Sequence, residues 1–186
     1  MRFSRPDAGT DEPASDPLSR EPESARISLH LRSEASIVVW GTPLSKSYRS
    51  LVRELEVISR HALMIDHRHH AFTAVGLDDA FACAEMIEVA TLLGARKVAV
   101  AWFLSHGATG LLPPGVLADE LGLDSMRFEQ HYYDGDARDA VEADLSQARE
   151  LGLGSDTSVT IRGLPYRRKL VAEDLIAACL EEATSR

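Results

Sequence analysis

Ile37-Val38-Val39-Trp40 is an unbroken apolar run, the pattern of a central strand buried on both faces. The run stops at Gly41, and a helical pattern follows. Tyr48, Leu51, Val52, Leu55, Ile58 and Ala62 recur at the spacing that puts them on one face of a helix. Ala62-Leu63-Met64-Ile65 then predicts a second buried strand. Residues 36–66 therefore read as strand, helix, strand, and a βαβ unit of this kind pairs its strands in parallel. Upstream, Ile27-Ser28-Leu29-His30-Leu31 alternates and predicts a short edge strand.

The middle of the chain is helical. Asp78 or Asp79 can cap a helix running through Ala80, Ala84, Ile87 and Ala90 to Gly94. A second helix is expected over Arg96 to Ser105. A third follows Pro113-Pro114 and stops at Gly122, where Asp124 caps the next. Asp134 or Asp136 is expected to open a helix through Val141, Leu145 and Ala148 that ends at Gly152. Strands then return. Ser158-Val159-Thr160-Ile161 is alternating and β-branched. Gly163-Leu164-Pro165 turns the chain, Tyr166 to Leu170 forms a hairpin partner, and Ala172 to Glu182 closes as an amphipathic helix. The order is βαβ, a block of helices, then ββα, with no internal repeat.

Composition adjusts this picture in three ways. The chain has 186 residues, 45% hydrophobic and 26% charged, which suits one domain plus a tail. Its net charge is -9 with a pI near 5.2, and such a surface argues against nucleic acid or an anionic membrane as the main partner. Residues 1–25 carry Pro6, Pro13, Pro17 and Pro22 among Asp, Glu, Ser and Arg, too little apolar surface to fold alone. They read as a flexible acidic tail, or as a segment that orders on a partner. The folded domain is expected over 26–186. The N-terminus has no apolar signal core, and no segment is long enough to span a bilayer, so a cytoplasmic location is expected. Cys83 and Cys179 both fall in apolar helical patterns and read as two buried thiols, with a disulfide as the alternative. No CxxC exists, so neither a two-thiol redox centre nor a Cys-rich zinc site can be built.

Several segments together carry a resemblance. SIVVWGTPLSKSYRSLVREL resembles the first βα unit of the DsbA-like family, where an aromatic-Gly pair leads into a CxxC and its helix. Met64 to Thr73, with Arg68-His69 inside it, is similar to the family's second strand. GVLADELGLDSMRFEQ resembles the end of its helical insert, DARDAVEADLSQARELGL its long helix, and SDTSVTIRG the strand that follows a Gly-Thr-Pro-Thr motif. The resemblance covers roughly residues 28–184. It implies a thioredoxin-like α/β fold with a DsbA-type helical insertion at about 77–133.

The resemblance also implies what has been lost. The family's two cysteines fall on Ser45 and Tyr48, and its cis-proline falls on Thr157. A serine hydroxyl cannot form a mixed disulfide and a tyrosine cannot resolve one. Without proline a cis peptide costs about 2.5–4 kcal/mol, so a trans bond is expected there. The expectation is a degenerate member, without disulfide exchange and without a cofactor, that binds a protein partner as an accessory subunit. The implied contact surface is the old active-site groove, with Trp40, Pro43, Ser45, Lys46, Ser47, Tyr48, Thr157 and Ser158, or else the N-terminal tail.

The alternative is an enzyme. Glutathione-dependent transferases and isomerases similar to the kappa class carry a serine at this helix start, where its hydroxyl stabilises a glutathione thiolate with help from the helix N-terminus. Those relatives read Ser-Pro-Tyr-Ser where this chain has Ser-Lys-Ser-Tyr, and they use the missing proline to hold the peptide backbone. A helix N-cap is the simpler role for Ser45. His67 and His69 would face one side of an extended segment, near His61 and His70, but converging zinc ligands are not visible, and a solvated strand end is expected. The acidic residues Glu120, Asp124, Glu129, Asp134, Asp136, Asp139, Glu142 and Asp144 read as caps and solvated faces rather than a catalytic pair. Trp102-Phe103 reads as core. His131-Tyr132-Tyr133 reads equally as core or interface.

Overall fold

The computed structural model describes residues 37–59, 65–69, 77–107, 109–154 and 157–181. The expected tail at 1–25 and edge strand at 27–31 lie outside these residues. The chain enters β1 (Ile37–Gly41), passes through α1 (Lys46–Ser59) and returns as β2 (Ile65–His69). Five helices follow: α2 (Leu77–Leu92), α3 (Arg96–His106), α4 (Pro114–Glu120), α5 (Ser125–Asp134) and α6 (Arg138–Glu150). β3 (Ser158–Ile161), β4 (Leu164–Pro165) and α7 (Ala172–Glu181) complete the fold.

The four strands form one sheet in the order β2-β1-β3-β4. β1 and β2 run parallel, with Ile37 opposite Ile65 and Gly41 opposite His69. β3 lies antiparallel on the other side of β1, with Ile37 opposite Ile161 and Trp40 opposite Ser158. This is the βαβ-then-ββα order expected from the sequence. α1 presents Tyr48, Leu51, Val52 and Leu55 inward, the stripe its periodicity predicts, and packs on β1 and α7. Tyr48 of α1 meets His67, whereas Asp144 of α6 meets Arg68. Adjacent strand residues face opposite ways, so α1 and α6 cover opposite faces of the sheet.

α2 is the central helix of the insert. Every residue from Cys83 to Ala90 is buried, and it packs against α3, α5 and α6. A helix buried all round must pair its charged residues. Glu85 accepts from Arg138 Nε at 3.0 Å, and Glu88 pairs with His69 and Arg96. Cys83 and Cys179 are both buried, and no disulfide joins them.

Three expectations need correction. The second strand is Ile65–His69, not 62–65, and residues 61–64 lie outside the described set. The polar stretch joins the sheet because each His and Arg there finds a partner, as set out below. The partner of β3 is Leu164–Pro165, not Tyr166 to Leu170. Arg162 and Gly163 both take positive φ, 50° and 80°, and so make a tight hairpin turn that brings Leu164 opposite Ile161. Tyr166 N–H adds one more bond to Val159 O at 2.8 Å. Neither Asp134 nor Asp136 caps α6, which follows Ala137 with no side-chain cap. Asp134 instead ends α5, and Asp136 pairs with His131 at 2.7 Å. Asp124 caps α5 as expected, accepting from Arg127 N–H at 3.0 Å.

Candidate functional site

The turn between β1 and α1 is tightly held. Ser45 N–H donates to Thr42 O at 2.9 Å, and the Arg49 guanidinium donates to Pro43 O and Leu44 O at 2.8 and 2.7 Å. Gly107, at the end of α3, is where the insert touches this turn. A Cβ there would stand 2.8 Å from Pro43 O, closer than real Cβ atoms come. Gly41 serves the same purpose from the strand side, since a Cβ on it would lie 2.7 Å from the Tyr48 ring.

Ser45 directly precedes α1, and its hydroxyl lies 3.5 Å from the Tyr48 amide, the N-cap arrangement at its long limit. The same hydroxyl is 2.8 Å from Ser47 Oγ, which is 3.0 Å from Thr157 Oγ1. A chain of three hydroxyls thus links the helix start to the segment leading into β3. Ser45 and Thr157 are buried, while Lys46 and Ser47 are exposed. Trp40 is buried with its indole N–H on Thr160 Oγ1 at 3.0 Å, Pro43 is buried, and Ser158 is half-buried. Among the eight positions expected to bind, Lys46 and Ser47 are therefore the ones fully presented to solvent. Beside them, Ser47, Ser50, Leu51, Glu54, Thr157 and Leu170 line a groove of about 200 Å³.

Tyr48 points into the protein. It is 1% exposed, and its hydroxyl lies 2.8 Å from His67 Nδ1. Burial raises the phenol above its ordinary value, and burial lowers the His67 imidazole to about 4. At neutral pH the phenol therefore donates to a neutral imidazole. The nearby thiol, Cys83, is pushed up by burial to about 12, against a hydrogen bond with Thr42 that acts in the other direction. It is not a thiolate at neutral pH and so lacks the nucleophile of thiol chemistry.

His67 and His69 are not a solvated strand end; His61 and His70 lie outside the described residues. His67 is half-buried and His69 is buried. Next to them lies an ion-pair network that sequence reading did not anticipate. Arg68 donates to Asp144 at 2.6 Å and to Asp66 at 3.2 Å. Asp144 also accepts from the His69 amide at 3.1 Å. His69 Nε2 meets Glu88 at 2.8 Å, Arg96 pairs with the same carboxylate, and Arg96 also donates to His67 O at 2.6 Å. Asp144 is thus a buried partner and not part of a solvated acidic face. Burial alone would raise Glu88, but the His69 hydrogen bond and Arg96 outweigh it and hold Glu88 down at about 2. His69, Glu88 and Asp144 place ligand atoms within 4.8 Å of one another. Both carboxylates are already neutralised by arginines, which repel a cation, so the cluster is an ion-pair network rather than a metal centre. The signal available in sequence was Glu85 and Glu88 inside an otherwise apolar helix.

No family model matches this sequence, and no curated protein matches it. Solved structures do match. The thiol-disulfide exchange protein alpha-DsbA2 from Wolbachia pipientis superposes with a TM-score of 0.62 at 12% identity, over 85% of this chain and 94% of that one. MdbA, a thiol-disulfide oxidoreductase from Corynebacterium diphtheriae, gives 0.59 at 15% identity over 76% and 81%. DsbA from Proteus mirabilis, a Cys-to-Ser variant with a non-covalently bound peptide, gives 0.58 at 8% identity over 78% and 89%. The chain has the DsbA-type thioredoxin fold. Among the described residues, no helix is long and apolar enough to cross a membrane.

Proposed function

We propose that this protein is a catalytically inactive DsbA-type domain that binds an extended segment of a protein partner, acting as an accessory subunit. One observation carries the reading: Tyr48, which the sequence resemblance aligns with the second cysteine, is buried with its hydroxyl engaged by His67. A side chain built into the core in this way cannot resolve a mixed disulfide, and the nearby thiol of Cys83 is held protonated. The groove at Ser47, Thr157 and Leu170 supports the reading as a place for such a segment to lie. The peptide bound to the Proteus mirabilis protein supports a short peptide segment as the occupant class. Such a segment gains affinity from main-chain hydrogen bonds and specificity from alternate side chains.

The glutathione reading needs Ser45 Oγ aimed at a bound thiol. Here that hydroxyl is buried and lies against Ser47 Oγ and the Tyr48 amide. The test is an array of extended peptides probed with the wild-type protein and with Ser50→Trp, which blocks the groove from an exposed helix position. Binding to a subset of sequences, lost in Ser50→Trp, is expected. Binding that Ser50→Trp leaves unchanged would sink the groove. Saturable glutathione binding that weakens in Ser45→Ala would replace this reading with the enzyme.

A further inference from the structure

A cavity of about 810 Å³ lies between α2 and α6, at the C-terminal ends of the parallel strands β1 and β2. It shares no lining residue with the groove at Ser47 and Thr157. Its volume falls in the range of small-molecule sites, roughly 300–1,000 Å³. Phe81 and Ala84 of α2 and Val141 and Leu145 of α6 give it apolar walls. His69, buried, is among its lining residues.

The state of His69 is set by its neighbour. Glu88 is ionised, being paired with Arg96, and a carboxylate only accepts. His69 Nε2 must therefore carry the proton it donates to Glu88 at 2.8 Å. In the neutral ring Nδ1 is then a bare acceptor, and it meets no partner among the described residues. A buried acceptor left unpaired is costly, and such groups are nearly always satisfied by protein, water or ligand. Two exposed acids, Asp139 and Glu142, stand at the cavity with one exposed arginine, Arg149, so no excess positive charge draws a carboxylate.

We propose that this cavity binds a small, largely apolar molecule carrying one hydroxyl or amine, whose proton is donated to His69 Nδ1. The inference is independent of the peptide groove.

The test compares 2-naphthol with 2-methoxynaphthalene, two ligands of similar size of which only the first can donate. Titrations followed by ligand fluorescence are expected to show saturable binding of 2-naphthol, with the methoxy compound about tenfold weaker. Ser146→Trp fills the cavity from an exposed position on α6 and should abolish binding of both. His69→Leu removes the Nδ1 acceptor while Arg96 still pairs with Glu88, and should bring the two affinities within about twofold. Absence of saturable binding to the wild-type chain, or binding that Ser146→Trp leaves intact, would overturn the site. Equal affinities in the wild-type protein would overturn the role of His69.

Discussion

Replacing Tyr48 by Phe tests the reading of the old resolving position most closely. The ring of Tyr48 fills the space above Gly41, and Phe keeps that ring, so no cavity opens. What is lost is the hydroxyl, 2.8 Å from His67 Nδ1. Because burial keeps His67 neutral and the phenol protonated, the bond removed is O–H to imidazole. Deleting the donor leaves an acceptor unpaired, which costs about 1–3 kcal/mol where the acceptor is buried. His67 is only half-buried and borders a cavity of about 350 Å³ with Asp66 and Arg96, so water can reach it in part. A loss of about 2 kcal/mol is expected at pH 7, with Tm lower by about 4–8 °C for a domain of this size. Urea unfolding followed by the fluorescence of Trp40 and Trp102 reads it directly. The midpoint should fall while the slope is unchanged. A change below about 0.5 kcal/mol would mean that the hydroxyl is not held as described, and the argument that Tyr48 is a built-in core residue would fail.

Other predictions follow from the same network. Asp144→Ala leaves the His69 amide without its acceptor and removes one of the two carboxylates paired with the half-buried Arg68, which keeps Asp66, and should cost about 1–3 kcal/mol in urea unfolding. Gly41→Ala forces a methyl to 2.7 Å from Tyr48 and should cost about 1–3 kcal/mol by the same measurement. Stability should fall on acidification in two stages. His67 titrates near 4 when folded and at its ordinary 6.5 when unfolded, so the unfolded chain takes the proton first and its contribution drains away below pH 6.5. Glu88 titrates near 2 against an ordinary 4.5, so its contribution is full above pH 4.5 and is lost as pH falls toward 2. Thermal melts from pH 8 to 3 check this; a stability that rose between pH 6.5 and 4 would contradict the burial of His67.

The parts of the fold written in periodicity were legible in the sequence. The Tyr48-Leu51-Val52-Leu55 stripe, the Ile37–Trp40 run and the Asp124 cap needed only local rules, and the structure repeats them. What was misread depended on distant partners. Ile65–His69 looks like a strand end because three of its five residues are His or Arg, yet it is a full strand. Its polar groups are met by Tyr48 from 19 residues away, by Glu88 and by Asp144 from 75 to 76 residues away. No local window contains that information. β4 was misplaced for a related reason: the turn depends on Arg162 accepting a positive φ, which a residue of its type rarely does. At the candidate site, alignment by motif placed Ser45 and Tyr48 at the helix start, but only the three-dimensional arrangement shows one turned to Ser47 and the other sealed into the core.

The most direct measurement is thiol-disulfide exchange itself: reduction of insulin by dithiothreitol with and without the full-length protein, compared with a Cys83→Ser, Cys179→Ser variant. The account predicts that both proteins leave the uncatalysed rate unchanged, because the proposed reading puts Ser45 and Tyr48 at the dithiol positions and Cys83 is held near pKa 12. Acceleration by the wild-type protein that disappears in the double variant would show a working thiol in this fold and contradict the central claim.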